Sequence, residues 1–126
     1  LINDITASSY YSSWNKAPAP AVPTDPPVLF DPLTHDWDNL STLVGTDAAN
    51  NEVRYVLHRM CNNPNDAVGN PTQQCVTVMS AGTGSTKEHG FYGNLPLSST
   101  FQAYYRITTR VRGPKNTISY VQSIIY

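Results

Sequence analysis

The clearest hydrophobic pattern lies in the last quarter of the chain. From Phe101 to Arg112 apolar and polar residues alternate with a period of two, which predicts a β-strand with its two sets of side chains on opposite faces of a sheet. Turn residues end the pattern, since Gly allows unusual dihedrals and Pro removes a ladder donor. Thr117–Tyr126 is predicted to be the returning strand. Residues 101–126 should therefore form a β-hairpin, with Ile107 and Val111 on its buried face.

Three other segments carry weaker patterns. Glu52–Met60 has apolar residues on both faces, as expected of an interior strand, and Cys75–Ser80 is predicted to be a short strand. Asp31–Val44 predicts a short helix, because Asp36 can cap it and apolar residues follow at helical spacing. With the hairpin, these segments indicate an α+β fold with an antiparallel sheet of about four strands, a short helix and long loops.

The length supports one domain, because 126 residues can bury enough surface for a single core. Residues 1–30 are expected to form an extended, Pro-rich lead-in, with a polyproline-like connector at Ala17–Pro27, and residues 31–126 to form the core. The longest connection, 81–100, contains several Gly residues and is a natural place for variable contacts.

The charge content is low, but the charges are unevenly distributed. A net charge of −1 gives no reason to expect a nucleic-acid partner. The first fifty residues contain six Asp against Lys16, whereas residues 101–126 contain four basic residues and no acid. The four are Arg106, Arg110, Arg112 and Lys115. Two interpretations remain open: the basic residues meet the acidic half within the fold, or they form a basic docking surface.

No residue pattern indicates catalysis. His58, Glu52 and Glu88 form no recognisable acid–base or nucleophile set, and motifs such as HExxH and GxSxG are missing from the sequence. The His and Asp residues at 35–38 lack the spacing of a closed metal site. The sequence therefore predicts a protein that is not an enzyme and has no cofactor and no metal.

The two cysteines carry the clearest chemistry. Cys61 and Cys75 lie at the end of one predicted strand and at the start of the next, and their spacing fits neither a redox CxxC pair nor a zinc site. A disulfide is the economical interpretation, worth roughly 3 kcal/mol in the loop-entropy model. Two buried free thiols are the alternative. A disulfide would place the chain in an oxidising compartment, such as the bacterial periplasm or cell surface.

Aromatic residues suggest a candidate interaction surface at two places. Exposed aromatic side chains can form a binding platform, although rings close together in sequence more often pack against their own domain. One group lies near the start of the chain and the other in the 81–100 connection. The candidates are Tyr10, Tyr11, Trp14, Lys87, Phe91 and Tyr92.

Two stretches of the chain carry a family resemblance. Residues 51–61 are NEVRYVLHRMC, a second Cys follows, and the chain ends with YYRITTRV at 104–111 and GPKNTISYVQS at 113–123. In these stretches the chain resembles the PilX-type minor pilins, which belong to the type IV pilus assembly proteins of Gram-negative bacteria. The ending is the most specific part, and the likeness extends in patches from Tyr10 onward.

The resemblance implies the head domain of a longer protein. Pilins carry an apolar N-terminal helix that anchors the subunit in the inner membrane and later packs in the fibre core. That helix has no counterpart here, and the chain begins at Leu1 without Met, so we expect an excised head domain. By this resemblance the disulfide braces an edge loop, and the partners are other minor and major pilins. The protein would pass from the periplasm and inner membrane to the extracellular pilus.

Three hypotheses for the function follow. The first is a pilin head that takes part in pilus assembly and initiation through protein–protein contacts in a minor-pilin complex near the pilus tip. A pseudopilin of type II secretion is a close relative of this hypothesis. The second is a surface adhesion or ligand-binding module, which would use the candidate aromatic residues. The third, an enzyme, has the least support from the sequence.

Overall fold

The computed structural model describes residues 2–15, 28–80 and 100–126 of the chain. These residues contain two 3-10 turns, Thr6–Ser8 and Pro114–Asn116, and no α-helix. Their strands, in chain order, are β1 (Tyr10–Tyr11), β2 (Thr42–Thr46), β3 (Glu52–Arg59), β4 (Thr77–Ser80), β5 (Thr100–Ala103), β6 (Tyr105–Arg112) and β7 (Ile118–Ile125).

A mixed sheet of five strands organises the described part of the chain. Its central strand is β3, which pairs antiparallel with β6 along its whole length, and β7 pairs antiparallel with the outer side of β6. On the other side of β3, β1 runs parallel to the C-terminal end and β2 runs antiparallel to the N-terminal end. A separate antiparallel pair is formed by β4 and β5.

The predicted C-terminal hairpin is present as β6 and β7, which pair without a register shift. Its turn favours a glycine, because a Cβ atom on Gly113 would lie 2.6 Å from the Oγ1 atom of Thr117 and would force that side chain to move. The backbone of Lys115 and Asn116 then takes left-handed φ angles of 68° and 58°. Phe101, predicted to belong to the hairpin, lies in β5 instead. The hairpin therefore begins later than the alternating pattern does.

The predicted α+β fold with a short helix is wrong. The chain from Asp31 onward forms turns, of which the closest to a helix is one where the Leu40 amide donates to the Asp36 carbonyl at 2.9 Å. Thr42–Thr46 then joins β3 as a strand, because its β-branched residues favour extended backbone and β3 offers partners that a short isolated helix lacks. The sheet is mixed rather than antiparallel, since β1 is parallel to β3.

The two other predicted strands are present with small changes in their bounds. The predicted interior strand Glu52–Met60 corresponds to β3, which covers all of it except Met60 and has strands on both sides. The predicted short strand Cys75–Ser80 corresponds to β4, which begins at Thr77 after a single bridge at the cysteines. The predicted connector at 17–27 lies outside the described residues. So does the predicted 81–100 connection, except for Thr100, which begins β5.

The pairing register divides the main sheet into two faces. We call the face with the even-numbered residues of β3, β6 and β7 the covered face. Val56 at its centre is fully buried and packs in a cluster with Tyr11, Phe30 and Trp37, with Tyr120 of β7 at the margin. The lead-in thus contributes to the core through Tyr11 and Phe30, and the turn region contributes Trp37.

The opposite side of the sheet is the open face, which carries no charged side chain from Val53 to Leu57 of β3 or along β6 and β7. Its uncharged residues are Val53, Tyr55, Leu57, Tyr105, Ile107, Thr109, Val111, Ser119, Val121, Ser123 and Ile125. Arg59, at the end of β3, also belongs to this side and is 1% exposed. Val121 and Ile125 are 61% and 45% exposed. The expectation that Ile107 and Val111 lie on the buried face is therefore wrong: both are half-buried, whereas Thr108 on the covered face is fully buried.

Candidate functional site

Glu52 at the start of β3 gathers the basic residues of the covered face. Its carboxylate accepts hydrogen bonds from Arg54 at 2.9 Å, Arg110 at 3.2 Å and Arg112 at 3.3 Å. Arg110 also lies 3.5 Å from a carboxylate oxygen of Asp38. These contacts arise from the register, because Arg112 lies opposite Glu52 and Arg110 opposite Arg54. Hydrogen bonding, first from Arg54, holds the pKa of Glu52 below its ordinary value.

The fold brings basic residues near the end of the sequence into contact with acidic residues that precede them. Arg110 lies close to the carboxylate of Asp38, and Arg112 pairs with the carboxylate of Glu52. Both contacts agree with the interpretation that basic and acidic residues pair within the fold. Arg110 also places its guanidinium 5.4 Å from the centre of the Trp37 ring, a distance at which a cation is attracted to the face of an aromatic ring. A basic docking surface built on these two residues is not supported.

Arg106 differs from the other two arginines of β6, because it has no carboxylate partner in the described residues. Its guanidinium lies 5.1 Å from the centre of the Phe30 ring. The Nε and Nη2 atoms are buried and make no hydrogen bond. Burial lowers the pKa of Arg106 from its ordinary value, although a guanidinium stays charged at neutral pH. The Phe30 ring therefore supplies the nearest described stabilisation of this charge.

His58 lies beside Arg106 on the covered face and is fully buried. Its ring packs 4.3 Å from Phe30 and 5.3 Å from Tyr11 between ring centres, and neither ring nitrogen makes a hydrogen bond. Burial, with added repulsion from Arg106 and His35, lowers the pKa of His58 from 6.5 to about 3. The imidazole is therefore neutral near neutral pH and acts as an aromatic core residue rather than as an accessible acid or base.

The Cys61–Cys75 disulfide is present and links the end of β3 to the start of β4. Backbone hydrogen bonds continue the pairing on both sides: Asn62 donates to Gln74, and Val76 donates to Met60. Inside the closed loop, the buried Gln73 side chain donates to the Asn63 carbonyl at 2.8 Å and accepts from the Asn63 amide at 2.9 Å. The loop between the cysteines is therefore fixed by both covalent and polar links.

The sequence-predicted interaction residues fall into two groups. Tyr10 and Tyr11 are 1% and 4% exposed, and burial raises the pKa of Tyr10 to about 12. Their rings belong to the domain interior, as the alternative interpretation held, and Tyr11 donates its hydroxyl to the Leu40 carbonyl at 2.8 Å. Trp14 is half-buried, and its role in an interaction stays a prediction. Lys87, Phe91 and Tyr92 lie outside the described residues.

The open face is the surface that sequence reasoning missed. The signal was present, since the odd-numbered positions of β3, β6 and β7 carry no charge from 53 to 57, from 107 to 111 and from 119 to 125. An uncharged, mainly apolar sheet face is unusual on a free surface and marks an interaction site. Alternation alone assigns this apolar set to the domain core and the opposite, arginine-bearing set to the solvent side.

Comparisons with known proteins identify no family for this chain: no family model, no curated protein and no solved structure matches it. Within the described ranges, no three His, Cys, Asp or Glu side chains come together as a metal site would require. These ranges also contain no helix with the length and apolar character that a membrane crossing needs.

Proposed function

We propose that this chain is the head domain of a minor pilin, which takes part in type IV pilus assembly through contacts with other pilins. The open face carries the proposal. It presents uncharged side chains across three adjacent strands, and a sheet with one face of this kind is stabilised by packing against another apolar element. The resemblance of the chain ending to PilX-type minor pilins names the kind of protein that supplies such an element.

The proposed occupant of the open face is the N-terminal helix of the parent protein. A helix buries an apolar stripe against a sheet, and Leu57, Ile107 and Val111 offer such a stripe on the two central strands. In this arrangement the free end of the helix would anchor the subunit in the inner membrane before assembly. The head would then lie in the periplasm and later in the extracellular fibre, a route that suits the Cys61–Cys75 disulfide.

The proposed role involves no reaction and no cofactor. The Glu52 carboxylate is engaged by three arginines, and His58 is packed among aromatic rings away from solvent. Polar groups arranged in this way support the covered face rather than offering an exposed nucleophile or base. Partners would instead be recognised through strand edges and surfaces of the head. A pseudopilin of type II secretion would use the open face in the same way.

Gene replacement in the source organism tests this proposal. We expect deletion of the gene to reduce surface pili and the full-length wild-type gene to restore them. The full-length Thr109→Lys variant should fail to restore pili, because it places a charge in the centre of the open face where the helix is proposed to lie. Val44→Lys is the matched control, since Val44 is 65% exposed on β2, outside the open face, and this variant should restore pili.

The outcomes separate the alternatives. If deletion leaves piliation normal but abolishes secretion of a protein, the result contradicts the minor-pilin hypothesis and supports the pseudopilin hypothesis. Normal piliation and normal secretion would contradict both. If Thr109→Lys restores pili as well as wild type does, the open face does not hold the helix, whatever the class of the protein.

A further inference from the structure

The outer edge of β7 is a second exposed feature, separate from the open face on which the proposed function rests. β7 pairs with β6 from Ile118 to Ile125 in one unbroken register. In the described part of the chain, no strand pairs with its other side. In an antiparallel strand, alternate residues direct their N–H and C=O groups to each side, so the outer edge presents a row of unpaired backbone donors and acceptors.

The edge of β7 lacks the devices that usually protect such a strand. Proteins prevent edge pairing with charged residues, proline, bulges or very short strands. The sequence of β7, ISYVQSII, contains no charge and no proline, and its pairing with β6 contains no bulge. The opposite edge of the sheet is protected in two of these ways: β1 has only two residues, and β2 carries a register shift between Leu43 and Gly45.

Exposure confirms that the side chains of β7 are accessible beside this edge. Val121 and Ile124 are each 61% exposed, and Ile118 and Ile125 are 46% and 45% exposed. Tyr120 alone is half-buried, because its ring packs 5.8 Å from Trp37 on the covered face. Trp37 therefore packs against Tyr120 but does not cover the other side chains of β7.

We propose that β7 pairs with β7 of a second copy of this chain, antiparallel and centred on Val121. The sequence around Val121 is nearly the same in both directions, ISY before and QSI after. A two-fold axis perpendicular to the sheet keeps even-numbered residues opposite even-numbered ones. Ile118 then faces Ile124, Ser119 faces Ser123, Tyr120 faces Gln122 and Val121 faces itself.

This register matches each side chain with one of similar polarity. Two isoleucine pairs lie on the covered-face side of the joined sheet, and small serine pairs flank the central valines on the other side. Cross-strand pairs of this kind are the unit of stabilisation in a sheet, and no like charges are brought together. The two open faces become continuous across the axis. The pairing is independent of the pilin proposal, because it requires only the exposed edge.

The first test is the oligomeric state of the isolated chain, measured by sedimentation from micromolar to millimolar concentration. We expect a concentration-dependent dimer. Val121→Lys should raise the dimer dissociation constant at least ten-fold, because the axis sets the two ammonium groups opposite each other. Circular dichroism should show an unchanged fold, since Val121 is 61% exposed.

Two matched variants separate the edge from other surfaces. Val44→Lys changes a similarly exposed valine on the opposite edge and should leave the dimer dissociation constant within about two-fold of wild type. Thr109→Lys changes the centre of the open face directly opposite Val121, and it should weaken the dimer less than Val121→Lys does. A chain that stays monomeric at every concentration would overturn the proposal. A dimer that resists Val121→Lys but dissociates with Thr109→Lys would overturn it as well, because association would then occur through the open face.

A cross-linking experiment tests the register directly. The described chain has no free cysteine, so Val121→Cys introduces a single new thiol. Directly opposite residues of antiparallel strands have Cα atoms about 4.5–5.5 Å apart, which is within the range that a disulfide can bridge. Mild oxidation should convert Val121→Cys into a covalent dimer, while Val44→Cys should remain monomeric. Equal cross-linking of both variants would show random collision and would contradict the proposed axis.

Discussion

The covered and open faces of the sheet have the reverse of the expected polarity. The buried, covered face carries Glu52, His58, Arg106 and Arg110, whereas the more accessible, open face is mainly aliphatic or aromatic and is uncharged apart from the buried Arg59 at its end. Alternation along a strand therefore defines two sets of side chains but does not say which set is inside. What decides is the rest of the chain: Tyr11, Phe30 and Trp37 lie over the polar set and bury it.

The difference also shows how each face is stabilised. On the covered face, ion pairs around Glu52 and aromatic rings above Arg106 and Arg110 make burial of charge tolerable. On the open face, stabilisation depends on apolar contact that the described residues do not supply. The comparison can be tested by placing the same charged substitution on each face, or by removing an aromatic side chain that packs over the covered face.

The largest effect is expected from a charge placed on the covered face. Thr108 is fully buried and its hydroxyl accepts a hydrogen bond from Gln122 at 3.0 Å. Thr108→Lys should unfold the chain, because an unpaired buried charge costs an amount comparable with the total stability of about 5–15 kcal/mol. Thr109→Lys, one residue away on the open face, should retain the native circular dichroism spectrum. Equal loss of structure in both variants would show that the open face is also core.

The second effect comes from removing the cover itself. The Trp37 side chain is 3% exposed, contacts Arg110 and Tyr120, and donates its indole N–H to the Pro32 carbonyl at 2.8 Å. Trp37→Ala should lower the free energy of unfolding by about 3–5 kcal/mol, measured by urea titration. Leu33→Ala is the control, because Leu33 is 75% exposed and should change stability little. Similar losses in the two variants would mean that Trp37 does not hold the covered face.

A smaller effect is expected when the shared carboxylate is removed. Glu52→Gln removes the negative charge with which Arg54, Arg110 and Arg112 all form ion pairs. We expect a loss of about 2 kcal/mol, less than for a fully buried pair because the Glu52 side chain is partly exposed. Urea titration of Glu52→Gln, Arg112→Gln and the double variant measures the coupling. Strictly additive losses would contradict a direct Glu52–Arg112 interaction.

The smallest effect concerns the neutral histidine of the covered face. His58→Phe should raise the free energy of unfolding near neutral pH by about 1 kcal/mol, since it removes two buried ring nitrogens that make no hydrogen bond. The folded-state pKa of His58 is lowered from 6.5 to about 3, so the unfolded chain binds more protons between these values. Wild-type stability should therefore fall as pH falls through this window.

The same pH titration contains the control for this prediction. His58→Phe should lose less stability than wild type between pH 6.5 and the folded-state pKa of His58, because one proton no longer favours the unfolded chain. The carboxylates, including Glu52, still contribute to acid unfolding in both proteins. Parallel stability curves for variant and wild type would show that His58 is protonated equally in the folded and unfolded states.

The elements fixed by local pattern could be predicted, and those fixed by distant contacts could not. The β3 strand, the β6–β7 hairpin and the Cys61–Cys75 disulfide follow from alternation, turn residues and spacing. The predicted helix failed because Thr42–Thr46 gains strand partners from β3, which no local window reveals. β1 was missed as a strand since two residues carry no periodicity.

The candidate site was predicted less well than the fold. Choosing the inward face required knowing that Phe30 and Trp37 fold over Arg106 and Arg110 rather than over Ile107. The same packing explains why Tyr11, a candidate for a binding platform, lies in the core. The network around Glu52 depends on cross-strand register, which alternation alone does not determine.

The disulfide has a mechanical consequence for a protein that is pulled by its ends. The bond ties two positions 14 residues apart at a Cα–Cα distance of 4.0 Å. Stretching cannot lengthen the segment between them, so about 45 Å of extended chain is withheld when the domain is pulled apart. Reduction would return that length, and a single-molecule force measurement would record it as a longer unfolding step. The disulfide thus limits the maximum end-to-end length that the unfolded domain can reach under force.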